Sequence, residues 1–289
     1  MKFQRIQREK ANYPVAVMCE GLGVSRSGYY AFEKRPPSKR AIEDIHLGIE
    51  IAESFRRSGG SYGSPRVLRD LVDLGWHVSR KRVARIMLAK RLCARLRRRF
   101  KVTTVSNKEH LKQPNLLERQ FTVEVPNRVW LSDITALWTL EGWLYVAAIL
   151  DLFARRIVGW RAAKDPAASM CVLAFEDAVR VRRPVSGLLV HSDRGCQYTS
   201  VPFQESVRRI GGTSSMSRKG DCWDNAPMES FWSSMKTEMG SSVPKTRDEA
   251  RNRVFEYIEA FYNPRRRHST LGYLSPIQFE QAAARSSAA

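Results

Sequence analysis

The stretch Arg128-Val-Trp-Leu-Ser-Asp-Ile-Thr-Ala-Leu137 decides the fold, together with Trp143-Leu-Tyr-Val-Ala-Ala-Ile-Leu150 and Arg156-Ile-Val-Gly-Trp-Arg161. These are three strand-length runs rich in β-branched and aromatic residues, with short connections and a Glu141-Gly142 turn signal, and they read as an antiparallel meander. A helical pattern follows from about Ala167 to Arg182 and stops before Pro184, which cannot continue a helix. The apolar run Gly187 to His191 reads as a short buried strand ending at Ser192-Asp193. A helix after Ser200, a short segment from Gly212 to Met216, and helices from about Asn225 and Thr246 complete the half.

This order predicts an α/β, ribonuclease-H-like domain with a mixed five-stranded sheet and flanking helices. If the fourth strand pairs in parallel beside the first, Asp133 and Asp193 become neighbours at the sheet centre. Asp133 lies between apolar neighbours inside a strand, where an ionised carboxylate costs several kcal/mol unless a cation compensates it. Asp193 ends an apolar strand where a side chain can point into a crevice. Glu229 follows on a predicted helix, so three carboxylates on two strands and a helix can hold two divalent ions. Phosphoryl transfer is the chemistry this arrangement implies.

Upstream, residues 14 to 34 read as a short helix, a Gly21-Leu-Gly-Val24 turn and a second helix capped by Ser25, which is helix-turn-helix spacing. The pattern repeats: a helix from about Ser64 to Leu74, a Gly75-Trp76 break, and a helix capped by Ser79 that runs to about Lys90. Leu68, Leu71 and Val72 mark one apolar face of this pair, and Val83, Ile86 and Met87 the other. Arg80, Lys81, Arg82 and Arg85 sit on its second helix. Such spacing serves DNA binding and plain helix packing alike. About Ser38 to Phe55 reads as one connecting amphipathic helix with Ile42, Ile45, Ile49 and Ile51 as its apolar positions. The run Arg95-Leu-Arg-Arg-Arg-Phe-Lys101, which includes Arg97 and Arg98, opens a polar linker read as contacting phosphates. The expected organisation is 1–60 helix-turn-helix and connector, 61–100 a second such unit, 101–126 basic linker, and 127–289 catalytic core with C-terminal helices.

The 289 residues carry 49 Lys and Arg against 29 Asp and Glu, a formal charge of +20. The excess is concentrated early, with 27 basic and 12 acidic residues up to Pro126 and 22 against 17 beyond it. A polyanion, and nucleic acid first, is the implied partner, since each neutralised phosphate releases a counterion. With 43% hydrophobic residues, wholesale disorder is excluded. No apolar run reaches the length of a membrane helix and the N-terminus has no signal-type stretch, so the expectation is a cytoplasmic, nucleoid-associated protein without membrane contact. Five scattered cysteines with no CxxC pair suggest neither a disulfide framework nor a cysteine zinc site.

Asp133 in Trp130-Leu-Ser-Asp-Ile-Thr135, Asp193 in His191-Ser-Asp-Arg-Gly-Cys-Gln-Tyr-Thr-Ser200 and Glu229, with 35 residues intervening, resemble the DDE catalytic core of retroviral-integrase-like transposases. Tyr262-Asn263, Arg266, His268 and Leu271-Gly-Tyr-Leu-Ser-Pro276 continue the match over nearly the whole chain. The N-terminal segments resemble the second-reading-frame product of bacterial insertion sequences. The resemblance implies a DNA transposase that cleaves a strand at the element's end and transfers the freed 3′-hydroxyl to another phosphodiester. It implies Asp133, Asp193 and Glu229 as ligands of two Mg²⁺ ions, with Mn²⁺ able to replace them, and Lys236 as a DNA-contacting lysine. Its implied partners are transposon-end and target DNA, further copies of the chain on DNA, and a first-reading-frame product or fusion. Arg266 and His268 fit phosphate contact.

Other positions read more modestly. His191 and Gln197 flank Asp193 and are candidates to orient water or substrate, or to be structural. Asn225 reads as a helix cap, Asp221 and Asp224 as loop and capping carboxylates, and Asp151 as a turn residue. Trp130, Trp138, Trp143 and Trp160 read as core. Against the transposase stand a non-catalytic DNA-binding regulator or relic, which has no need of the buried acids, and a ribonuclease-H-like nuclease, which leaves the helix-turn-helix pair unexplained.

Overall fold

A computed structural model describes residues 1–95, 113–218 and 222–288, in two compact units, Met1–Glu53 and Ser54–Ala289. Arg97, Arg98 and Asp221 lie outside the described residues.

The first unit contains α1 (Lys2–Glu9), α2 (Val15–Gly21) and α3 (Arg26–Lys34). The Ser25 hydroxyl accepts a hydrogen bond from the Gly28 amide, so α3 starts where the sequence places it. Ile6, Cys19 and Tyr29 form a small core with Phe3, Val15, Met18, Leu22 and Val24 packed on it. Helix α1 escapes a sequence reading because only Phe3 and Ile6 are apolar among its charges; tertiary packing supplies its stability.

Helix α4 (Lys39–Arg57) spans the unit boundary. It buries Leu47 and Ile51, whereas the expected apolar positions Ile42, Ile45 and Ile49 are exposed. The helix carries two stripes at helical spacing, and hydrophobic periodicity alone does not say which one is covered.

In the second unit, α5 (Ser64–Asp73) and α6 (Arg80–Ala89) form the second helical pair, and the Ser79 side chain accepts from the Arg82 amide. Val83, Ile86 and Met87 are buried as expected, but the α5 face consists of Val67 and Leu71, with Val72 exposed. The pair is fastened to the C-terminal segment. Arg267 donates to Asp70 at 2.6 Å and also to Asp73, and the Tyr62 hydroxyl accepts from the Arg267 amide at 2.9 Å. The segment expected as 61–100 therefore shares one compact unit with residues 127–289.

The sheet has the order β3-β2-β1-β4-β5. Strands β1 (Val129–Thr139), β2 (Gly142–Asp151) and β3 (Arg156–Ala163) form the antiparallel meander; β4 (Leu189–Ser192) and β5 (Thr213–Met216) add in parallel. This is the mixed five-stranded, ribonuclease-H-like arrangement expected. Strand alternation sends Leu131, Leu144, Val146 and Ala148 to one face, under α9 (Ala226–Glu238) and α10 (Arg247–Phe255). Trp130, Ala147 and Ile149 go to the other, under α7 (Ala168–Arg182) and α8 (Val201–Arg209). Of the four tryptophans read as core, Trp130 is fully buried and Trp160 half-buried. Trp138 and Trp143 are 51% and 47% exposed and pack edge-to-face on each other beside the turn of the β1–β2 hairpin.

The end of the expected linker is tied to the sheet edge. The Met216 amide donates to the Pro114 carbonyl, and the Leu116 amide to the Ser215 hydroxyl. Helix α11 (Pro276–Ala288) is held by Glu280, which accepts from Arg156 at 2.6 Å and Arg182 at 2.7 Å. Among the described residues no helix is long and apolar enough to cross a membrane.

Helix α7 approaches β3 closely at Gly159, where an added Cβ would lie 2.4 Å from the Ala174 carbonyl oxygen and 2.8 Å from the Ala178 Cβ. Gly159→Ala is therefore expected to destabilise the chain by about 1–3 kcal/mol, as overpacking does. A urea midpoint unchanged from wild type would contradict this packing.

Candidate active site

The parallel pairing of β4 on β1 aligns Ser132 with Ser192, so Asp133, midway along β1, has as its neighbour Asp193, the first residue past the end of β4. The Asp133 carboxylate accepts from the Ile134 amide at 2.9 Å and from the Trp232 indole Nε1 at 3.0 Å. Asp193 accepts from the Gly195 amide at 2.9 Å, which turns the chain sharply after β4. Burial, and then the charge of Asp193, push the Asp133 carboxyl up to about 8, with a smaller push from Glu229. Burial also raises Asp193. Two acids held this way resist ionising together unless a cation joins them.

Glu229 stands in the first turn of α9, exposed. The start of that helix is fastened to β1 because the Asn225 side-chain amide donates to the Ser132 carbonyl at 3.3 Å. Asn225 is thus the helix's first flanking residue without capping it through its side chain, contrary to the reading from sequence. Its Oδ1 is buried without a hydrogen-bond partner. Trp232, three residues beyond Glu229 and so on the same side of α9, reaches back to Asp133. Lys236 lies farther along that side; burial lowers its pKa while the Asp133 charge opposes the shift.

Among the described residues no three His, Cys, Asp or Glu side chains already stand together as a metal-holding group. What is assembled is the Asp133–Asp193 pair, with Glu229 on the helix tied beside it. The donors are all carboxylate oxygens, the ligand type that hard divalent cations take, and the repulsion in the pair is of the kind such an ion relieves.

The neighbouring candidates are structural. His191 is fully buried, within hydrogen-bond distance of Ser215 (2.9 Å) and Ser217 (3.1 Å), and burial pushes it down to about 4, so it is a neutral pin between β4 and β5. Gln197 donates to the Pro166 carbonyl. Asp224 is gripped by Arg218, Arg119 and Asn115, and the Arg218 hydrogen bond leads in holding its carboxyl far below the usual range. Asp151 accepts from the Asn127 and Phe153 amides and pairs with Arg182, closing the turn after β2.

Arg80, Lys81 and Arg85 stand exposed on α6, with Arg82 half-buried. Arg266 and His268 are not displayed on a surface. Arg266 is buried and donates to both Glu238 oxygens, at 2.6 and 2.7 Å, and His268 packs edge-on against Tyr262. The sequence reading missed Trp232, although its spacing from Glu229 was the available signal.

A carboxyl raised in the folded state keeps its proton between the unfolded value and about 8, so its contribution to stability declines as pH climbs through that window. Without divalent ions the protein is expected to be less stable at pH 8 than at pH 6, and Asp133→Asn to flatten that slope and raise the pH 8 melting temperature by several degrees. Mg²⁺ should stabilise wild type but not Asp133→Asn. Differential scanning calorimetry decides this, and an equal Mg²⁺ response in both proteins would remove Asp133 from the metal site.

Comparison with known proteins shows the family. Residues 124–222 and 211–276 match integrase core domain families, and residues 41–100 match an HTH-like domain. The chain is 42% identical to the insertion element IS600 uncharacterized 31 kDa protein of Shigella sonnei, over 91% of this chain and 97% of that one. It is 40% identical to the transposase for insertion sequence element IS904 of Lactococcus lactis, over 86% and 98%. With the transposase InsF for insertion sequence IS3A of Escherichia coli it shares 38% identity over 97% and 98%. The HTLV-2 integrase catalytic core domain in complex with magnesium superposes with a TM-score of 0.40 at 15% identity, over 54% of this chain and 97% of that one. An integrase core carrying two facing aspartates, an HTH-like segment before it, and end-to-end relatives of this identity lead to one conclusion: the chain belongs to the family of insertion-sequence transposases.

Proposed function

We propose that the chain is the catalytic subunit of a DNA transposase that cleaves a strand at its element's ends and transfers the resulting 3′-hydroxyl. The observation that carries this is the Asp133–Asp193 pair on parallel β1 and β4, with the Glu229 helix tied beside it by Asn225 and Trp232. In the first step water attacks a backbone phosphorus and the P–O3′ bond breaks, leaving a 3′-hydroxyl and a 5′-phosphate. In the second, that hydroxyl loses its proton and forms a new P–O3′ bond as the strand it attacks releases its own 3′-oxygen.

Asp133, Asp193 and Glu229 would hold Mg²⁺, in the two-ion arrangement expected from the sequence, with Mn²⁺ as a substitute. The ions, when bound, activate the attacking oxygen and stabilise the leaving one. Trp232 keeps the Asp133 carboxylate from rotating by occupying one of its oxygens. Lys236 offers its ammonium to a DNA phosphate beside the acids. Arg80, Lys81 and Arg85 on α6 bind the backbone of terminal-repeat or target DNA, with Arg82, Arg97 and Arg98 adding to the basic path. A first-reading-frame partner and assembly of several copies on DNA complete the proposed complex, which acts at the nucleoid.

The test is a Mg²⁺-dependent cleavage and joining assay on DNA carrying the element's own ends. Wild type is expected to give both products. Asp193→Asn and Glu229→Gln should lose cleavage by roughly a hundredfold or more, because metal-ligand stabilisation of the transition state amounts to several kcal/mol. Duplex affinity should be retained in both variants. Binding by wild type without chemistry would replace this reading with that of a DNA-binding regulator, and equal loss of binding in Glu229→Gln would contradict its ligand role.

A further inference from the structure

A cavity of about 290 Å³ opens on the side of α9 next to the one that carries Glu229. Ala226, Ser230 and Ser234 recur every fourth residue along the cavity stripe, whereas Glu229, Trp232 and Lys236 follow the stripe beside it. Arg66 from α5, Arg155 before β3, and Arg266 and His268 after α10 form its basic lining. Among the described residues no acidic side chain lines the cavity.

The charges do not balance. Glu238 neutralises Arg266. Among the described residues Arg66 has no carboxylate partner and stacks on the Tyr62 ring with its guanidinium 5.5 Å from the centroid. Arg155 donates one hydrogen bond, to the Phe121 carbonyl at 3.2 Å, and has no carboxylate partner either. A guanidinium carries five N–H donors, so both retain unused ones. Burial lowers the pKa of each, and His268, driven down to about 2 by burial and then by Arg266, Arg66 and Arg155, registers all three cations converging. The rim hydroxyls of Ser230, Ser269 and Thr270 are solvent-exposed and add neutral donors. Two half-buried, uncompensated guanidiniums are costly to maintain, and an anion with several oxygens relieves that cost through charge-assisted, bidentate hydrogen bonds.

We propose that this cavity is a phosphate-binding subsite in which Arg66 and Arg155, with the rim hydroxyls, grip one backbone phosphate of a DNA strand beside the Glu229 site. The source rests on the transposase reading above, while the phosphate chemistry rests on the cavity alone. A strand pinned there is anchored to the same helix that carries Glu229, which fixes the register between backbone and acids.

The experiment uses the full chain and measures affinity for a duplex carrying the element's ends between about 50 and 200 mM salt. Arg66→Gln is expected to weaken binding about tenfold and to reduce the slope of log Kd against log salt by about 0.9, the loss of one phosphate contact. Arg66→Lys should restore most of both. Thr270→Asp, at the exposed rim, keeps the inference testable should Arg66→Gln fold poorly, and it should weaken binding in the same direction. A parallel arm measures the thermal stability gained from inorganic phosphate. A gain in wild type but not in Arg66→Gln, with DNA binding equal in the two, would support the phosphate site and assign it to a small free phosphate. Neither effect in any variant would overturn the site. Cleavage assays separate the two readings: intact Mg²⁺-dependent cleavage with an unchanged salt slope and no phosphate-dependent stability gain defeats only the subsite, and a changed slope without cleavage in any protein defeats only the transposase.

Discussion

The pairing of β4 alongside β1 is the constraint on which the rest of this structure depends. β4 is short, and its four residues place Asp193, just past the strand's end, beside Asp133 in the middle of β1. Everything nearby tolerates or exploits the resulting repulsion. The Gly195 and Ile134 amides and the Trp232 indole donate to the two acids, and Asn225 ties the Glu229 helix to the backbone of Ser132. A sheet covered on both faces makes this costly polar focus sustainable, because two apolar clusters surround it. The raised carboxyls make the pair an environment that favours a cation.

A second organising element is the use of arginine as an internal strut. Arg182 reaches Asn127, Asp151 and Glu280, joining the turn after β2 to α11. Arg267 joins α5 to the C-terminal segment, and Arg266 holds Glu238 of α9. A planar guanidinium bridging several acceptors in fixed directions suits this work better than a lysine would. Breaking one such buried pair leaves an uncompensated charge, at a cost of about 3–5 kcal/mol. Part of the chain's large positive charge is therefore structural. On the proposed reading, Arg80 and Lys81 of α6 and Arg66 and Arg155 of the α9 cavity serve a polyanion, which separates the chain's net charge from its functional charge.

The sequence by itself determined the succession of the five strands along the chain, both helix caps at Ser25 and Ser79, and the carboxylates to examine. Period-two runs, Gly and Pro punctuation and side-chain capping are local effects that a short window contains. Parallel pairing of β4 with β1 was legible only as a condition, and the structure met it. Tertiary structure alone decided which of two stripes on α4 is buried, and that Trp138 and Trp143 stay half-exposed while Trp130 is covered. It also turned Arg266 and His268 inward and brought Arg66 and Arg155 together from positions 89 residues apart in the chain. Burial and charge balance depend on what other segments bring to the same point in space, and no window of sequence holds that information.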